Sequence, residues 1–464
     1  MKKSCLLLLV LPLMLSGCGK SEPTPEPTPG PTPDPHDGEP DKKGTYHVEF
    51  ESMLLKDETE NLINLGYDYP CSTVTFENKS SEFNKDIALA SFAFAVSAPE
   101  KATINKVYDA YGFSNIVNSS DYDVVETKQS VKYTFGSKKV GEDNLIAVSI
   151  SGMRYFLPWQ SNLEVGEEGD HYGFNEGATK VLDALNSYLK DYPDIDKTKI
   201  WINGYSRSSA IGQIVSYQLL EQELVLEDNL YAYFFETPRG VMATNEKEYK
   251  SIFNILNSGD LVTYVAPSVY GLKRIGTDID IYNKDADNIV TSFNSKLALS
   301  PFTANESAGY LNESGFNDFI INTLTGEYES EDDPDFHDLS TRDRFANYYQ
   351  EDFAYLLSLA LSLKPETTSA VKEAFDKLNI VDKALLILDE TGVYNFLKPI
   401  FDRTNQPYDD EMLKSSTVKL VAFAKKSSII SKITSSDFQN TALRSIQLHA
   451  PETVLPLLVD YLSK

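Results

Sequence analysis

An α/β architecture, a mainly parallel sheet with helices on both faces, is the fold class this sequence predicts, on three observations. Strand-like and helix-like segments alternate between about Asn84 and Leu256. The later strand candidates are short runs rich in aromatic and β-branched residues, as strands buried on both faces must be. The chain has 464 residues and 41% hydrophobic content, which is long and apolar enough for one large domain or two ordinary ones.

Taken in order, the pattern predicts a helix over Asn84–Ser97, then strands at Val131–Phe135 and Asn144–Ile150. A helix at Asn175–Leu189, a strand at Lys199–Asn203 and a helix at Ser206–Leu220 follow. Two apolar runs, Leu230–Phe235 and Ser251–Leu256, complete the sheet. From Ser340 the pattern changes to helices only, opening on a capping-box-like Ser340-Thr-Arg-Asp343 and running through Leu356, Leu357, Leu359 and Leu361. Further helices are expected at Ser369–Leu378, Val381–Leu388 and Leu413–Lys425. Residues 45–464 therefore read as one unit in which 276–440 is a mostly helical cap or lateral insertion. No internal repeat is evident.

The N-terminus has a different composition. Residues 1–18 carry two lysines, the apolar run Leu6 to Leu15 and then small residues, which is the layout of a secretory signal. That run is too short for a permanent membrane span. Leu15-Ser16-Gly17-Cys18 resembles the lipobox of bacterial lipoproteins, which implies lipidation at Cys18 and a folded domain held outside the cytoplasm. Residues 19–44 form a Pro/Thr/Glu tract that builds no core and serves as a semi-rigid tether. The membrane is thus an expected partner through the N-terminal lipid anchor only.

Charge and cysteines narrow the function. The 42 basic and 69 acidic residues give a formal charge of -27, which argues against nucleic acid and against adsorption to an anionic membrane. Of three cysteines, Cys5 and Cys18 lie in the leader, so Cys71 alone remains and no disulfide framework or cysteine metal site is available.

The chemistry-bearing segment is Ile200-Trp201-Ile202-Asn203-Gly204-Tyr205-Ser206-Arg207-Ser208-Ser209-Ala210, a strand, a tight turn and a helix start. A nucleophilic serine on such an elbow needs small neighbours two places away, and Gly204 and Ser208 supply them. Gly-x-Ser also occurs at Gly19-Lys20-Ser21 and Gly112-Phe113-Ser114, but neither follows a buried strand and opens a helix. Serine is also a common helix N-cap, the structural alternative for Ser206.

A serine hydroxyl needs a base, and the base needs a carboxylate to fix its tautomer. In α/β-hydrolases the chain order is Ser, acid, His. Only His337 and His449 follow Ser206, whereas His36, His47 and His171 precede it. His449 stands just before a terminal helix that Pro451 can open, with Val454, Leu458, Tyr461 and Leu462 as its apolar stripe. His337 lies in the acidic run Glu331–Asp338, which lacks the spacing of a calcium loop. The turn after Leu256 offers Asp260 as the acid, with a strand-end cap as its structural alternative. For the oxyanion hole, Arg207 supplies one backbone N–H and Ser151-Gly152-Met153, after Ile146–Ile150, is expected to supply the other.

Four segments together resemble the bacterial relatives of the class 3 (fungal triacylglycerol-type) lipases: Gly152-Met-Arg with Trp159 and His171-Tyr-Gly173-Phe174; Gly204-Tyr-Ser206-Arg; Phe253 to Val262 with Val265-Ala-Pro267 and Gly271-Leu-Lys-Arg; and His449-Ala-Pro451-Glu. The resemblance covers about residues 80–275 and 440–464. It implies an α/β-hydrolase fold, a triad of Ser206, Asp260 and His449, and oxyanion donors at Met153 and Arg207. Met153 stands where the family usually has Thr or Ser, and Ser208 where it has Gly. The expected activity is hydrolysis of an ester or lipid substrate through an acyl-enzyme, which requires no metal or organic cofactor. Other readings are a different serine hydrolase, such as a glycan deacylase or peptidase, and a non-catalytic surface lipoprotein on a hydrolase scaffold.

Overall fold

A computed structural model of the chain describes residues 44–56, 62–153, 157–242, 247–293, 312–324, 339–426 and 440–464, less positions 442, 443 and 446. The chain enters through an antiparallel hairpin of β1 (Thr45–Lys56) and β2 (Leu62–Pro70). Helices α1 (Lys85–Ser97) and α2 (Lys101–Ala110) follow, then β3 (Ser114–Asn118), β4 (Tyr133–Val140) and β5 (Asp143–Ile150). Next come α3 (Tyr172–Leu189), β6 (Thr198–Tyr205), α4 (Arg207–Glu221), β7 (Leu230–Phe235), β8 (Ile252–Leu256) and β9 (Thr277–Asp280).

Strands β3 to β9 form one seven-stranded sheet whose spatial order is the chain order. The β3–β4 and β4–β5 pairs are antiparallel, and every pair from β5 to β9 is parallel. This is a mainly parallel sheet flanked by helices. Alternate residues of β6 enter different cores: Trp201 and Tyr205 pack with α1, the β1–β2 hairpin and the C-terminal helix, while Ile200 and Ile202 pack with α3 and α4. A sheet covered on both faces explains why all six residues of β7 are buried and why their sequence shows no polar alternation.

Several elements escaped the sequence pattern. The β1–β2 hairpin carries its own two-residue period, with Val48 and Phe50 buried and His47 and Glu49 exposed. Strand β9 lies inside the stretch assigned from residue 276 onward to the helical insertion, and it belongs to the sheet. Thr277-Asp-Ile-Asp280 is polar because it pairs only with β8, as an edge strand does.

Among the described residues, the stretch after β9 is helical: α5 (Ala286–Phe293), α6 (Glu313–Leu324), α7 (Thr341–Tyr348), α8 (Gln350–Leu361), α9 (Pro365–Lys377), α10 (Ile380–Leu388), α11 (Gly392–Thr404) and α12 (Asp410–Lys426). Ser340 does cap α7, its side chain accepting from the Asp343 N–H. The helical run expected from Ser340 through Leu361 is divided in two at Tyr349. Tyr349 leaves helical geometry at φ -128° and is buried beside Val165 and Tyr270, so docking overrides the local pattern. Helices α8, α9, α11 and α12 share a core around Val371, Leu397, Ile400, Phe401 and Leu413. The chain ends in α13 (Pro451–Leu462). No helix among the described residues is long and apolar enough to cross a membrane.

Candidate active site

The β6–α4 junction sets the first position. Ser206 sits at φ 58°, ψ -128°, between the last residue of β6 and the first of α4. A non-glycine residue in that region is strained, and it is held because its N–H donates to Phe235 O at 2.9 Å while its own carbonyl accepts from Ser209 N–H at 2.9 Å. A side chain on Gly204 would meet Ser208 at 2.9 Å, so the crossing of strand and helix demands glycine there. Serine in place of glycine at 208 fits because its hydroxyl lies wholly inside the turn. It donates to Tyr205 O and accepts from Tyr205 N–H, each at 2.9 Å.

The turn after β5 packs directly onto this elbow. A Cβ on Gly152 would lie 1.9 Å from Tyr205 O and 2.6 Å from Ser208 N. Only a bare backbone passes so close, and Met153 is the next residue along it. Arg207 opens α4, where first-turn N–H groups point out of the helix end. Its guanidinium turns away, donating to Ser161 Oγ at 2.9 Å and 3.3 Å.

Asp260 is fully buried at the turn after β8, and its Oδ1 accepts from the Val262 N–H at 2.8 Å. The structure brings Ser206, Asp260 and His449 together across 54 and 189 residues of chain: His449 Nδ1–H donates to Asp260 Oδ2 at 2.6 Å, and Nε2 accepts from Ser206 Oγ at 2.9 Å. The tautomer is assigned from these partners. Ser206 and His449 are each 7% exposed, so the reacting edge is nearly dry.

The His449 loop is held from three sides. Tyr205 donates its hydroxyl to His449 O at 2.5 Å, and Asn257 Nδ2 donates to Leu448 O at 3.1 Å. Behind the loop, Pro451 opens α13 and Glu452 accepts from Ser52 Oγ at 2.6 Å, Leu54 N–H at 2.7 Å and Met53 N–H at 3.2 Å. The N-terminal hairpin is thereby stapled to the helix beside the histidine. Of the stripe expected on α13, Val454, Leu458 and Leu462 are buried, but Tyr461 is 40% exposed, and Leu455 and Leu457 are buried in its stead.

A residue that sequence reasoning missed lies directly behind the aspartate. Glu236, fully buried after β7 at φ 48°, accepts from the Asn257 N–H at 3.0 Å and 3.2 Å. Ligand atoms of Glu236, Asp260 and His449 all lie within 4.8 Å of one another. Burial first, and then the neighbouring Asp260, raise the Glu236 carboxyl well above the usual carboxylate range. Three such donors could in outline hold a metal ion, but Asp260 Oδ2 and His449 Nδ1 are engaged with each other, so the grouping is a hydrogen-bonded chain. Its one sequence signal is an acidic residue directly after a wholly apolar strand.

The other histidines differ. His171, at the head of α3, is fully buried, stacks on Phe174 at 3.9 Å and pairs Nε2 with Asn162 O at 3.2 Å. Burial pushes its pKa down to about 3, so it is a neutral structural group. His47 is exposed beside Asp68. His337 and Cys18 lie outside the described residues. A cavity of about 500 Å³ lies between β1 and the α1–α2 corner and reaches Met153.

Among known proteins, the family model of class 3 lipases matches residues 164–270, a span that holds Ser206 and Asp260. No curated protein sequence matches the chain. Among solved structures, a Rhizomucor miehei lipase propeptide complex is 16% identical over 44% of this chain and 71% of its own, at a TM-score of 0.34. A lipase from Rhizopus microsporus var. chinensis is 16% identical over 45% and 80%, at 0.32. A triacylglycerol lipase whose catalytic centre is described as a serine protease triad is 15% identical over 44% and 83%, at 0.34.

Proposed function

We propose that this chain is a serine carboxylic-ester hydrolase, lipase- or esterase-like, working through an acyl-enzyme at Ser206. The observation that carries the reading is the continuous bond chain Ser206–His449–Asp260, with Nε2 at 2.9 Å from the hydroxyl and Nδ1 at 2.6 Å from the carboxylate. Ser206 Oγ attacks the acyl carbon as its proton passes to His449 Nε2, and Asp260 holds the ring and stabilises the imidazolium. The Met153 and Arg207 backbone N–H groups receive the oxyanion. His449 then protonates the departing alcohol, and a water deprotonated by the same nitrogen releases the acid.

The substrate class is an acyl ester or lipid, taken up outside the cytoplasm by a domain tethered through a lipidated Cys18. Support for the location is confined to the leader, Lys2-Lys3, the Leu6–Leu15 run and Leu15-Ser16-Gly17-Cys18.

A fluorophosphonate probe tests the chemistry. Wild type is expected to be labelled at Ser206 and Ser206→Ala not at all; folded protein that takes no label sinks the reading. Nitrophenyl esters of increasing chain length then read the acyl preference. Mass spectrometry of the membrane-fraction protein is expected to find a diacylglyceryl group on Cys18, and an unmodified Cys18 there refutes the anchor.

A further inference from the structure

We propose that Glu236 is a positioning residue of the candidate triad: a carboxylic acid that stays neutral and donates a hydrogen bond to the Asp260 carboxylate, tempering its hold on His449. The inference rests on the assignment of Asp260 and His449 to catalysis.

Two carboxyl groups packed this closely in a dry site do not both ionise; they share one proton. The bonding partners say which of the two keeps it. Asp260 accepts two separate N–H bonds, one on each oxygen, from Val262 at 2.8 Å and from His449 at 2.6 Å, and both favour its ionised form. Glu236 accepts a single N–H, from Asn257, shared between its two oxygens. The proton therefore belongs on Glu236 and faces Asp260. The other groups acting on Glu236 reinforce this: Asp280 at the end of β9 is acidic, and Tyr205 on β6 is itself held neutral by burial.

The backbone supplies an independent argument. Glu236 occupies φ 48°, a left-handed region that favours glycine, although its N–H is fixed to Ile255 O at 3.0 Å as the strand ends. A strained backbone and a buried acid at one position, touching the site, point to a role for the side chain that glycine would not fill.

The physical consequence is directional. A neutral donor on Asp260 spreads its negative charge, so the aspartate stabilises an imidazolium beside it less. Without the donor, Asp260 holds the protonated ring more firmly. The acid limb of kcat/KM, which reports that ring in the free enzyme, then moves to higher pH.

The test uses the full chain with two variants. Glu236→Gly relieves the backbone and removes the donor; the acid limb of kcat/KM is expected to move up by about one unit, so that the rate falls roughly tenfold at pH below the limb and changes little above it. Glu236→Gln donates the same bond while never ionising, and is expected to recover most of the lost rate and the wild-type limb. A fall that is uniform with pH in Glu236→Gly, or an unmoved limb, overturns the proposal. Infrared difference spectra of wild type against Glu236→Gln at neutral pH read the proton without any substrate. A protonated-acid carbonyl band supports the proposal, and a carboxylate band overturns it, even should Glu236→Gly not fold. Ester hydrolysis surviving in Ser206→Ala would instead overturn the functional reading and leave the infrared result standing.

Discussion

The central sheet and the helices between α5 and α12 use apolar residues in different ways. In the sheet, every residue of β7 is buried and Trp201 lies in a nest of aromatic rings, with Phe94 at 4.6 Å and Phe76 at 5.2 Å between centroids. In the helical region, Val381 and Leu385 on α10 are 66% and 52% exposed, beside a smaller core around Phe401 and Leu413. The two meet through a few strong polar anchors. Arg342 on α7 donates to the carbonyls of Val165, Gly166 and Gly169, and Gln350 accepts from the Val165 N–H at 3.0 Å. Strained backbone is found where packing over-determines it, which is why the residues brought together at the elbow lie on the sheet side of that boundary.

The sharpest break between the regions comes from chemistry. Ser206→Ala should lower ester hydrolysis by about 10³-fold or more while leaving the melting temperature unchanged, since the side chain is small and its partner remains hydrogen-bonded to Asp260. Assay and thermal melt on one sample check both halves. Core truncations come next. Ile202→Ala in β6 should destabilise the whole fold by about 2–5 kcal/mol. Leu397→Ala in α11, in a less complete core, should fall at or below the lower end of that range, and hydrogen exchange should show its effect confined to α8–α12.

Arg342→Met tests the boundary itself. Leaving several loop carbonyls without their donor should cost roughly 1–3 kcal/mol. Faster hydrogen exchange at residues 157–170 and in α7–α8, with the sheet unchanged, would verify it; a global loss would show that the two regions are one cooperative unit.

The effect that is smallest at neutral pH is pH-dependent and grows on acidification. His171 is held neutral when folded, with a pKa of about 3, but takes up a proton at its ordinary value of 6.5 when unfolded. Its contribution is therefore fully present above pH 6.5 and is lost as pH falls towards 3, by up to about 1.4 kcal/mol per unit. His171→Gln should flatten the decline in melting temperature on acidification. A wild-type slope in that variant would assign the acid sensitivity elsewhere.

The local parts of this protein were legible in the residues. The strand-turn-helix around Ser206 follows from Ile200–Ile202, Gly204 and a helix face of Ile211, Ile214 and Val215, because side-chain period and steric room are properties of neighbouring residues. The turn holding Asp260 and the shortage of histidines after Ser206 were equally plain. Tertiary structure alone decided what those residues face. That Glu236 stands behind Asp260, that Glu452 ties the hairpin to the histidine helix across 400 residues, and that Tyr349 breaks a helix to fill a core are results of long-range packing. Such contacts are set by the sum of many burials over the whole chain, and no window of a few residues carries that sum.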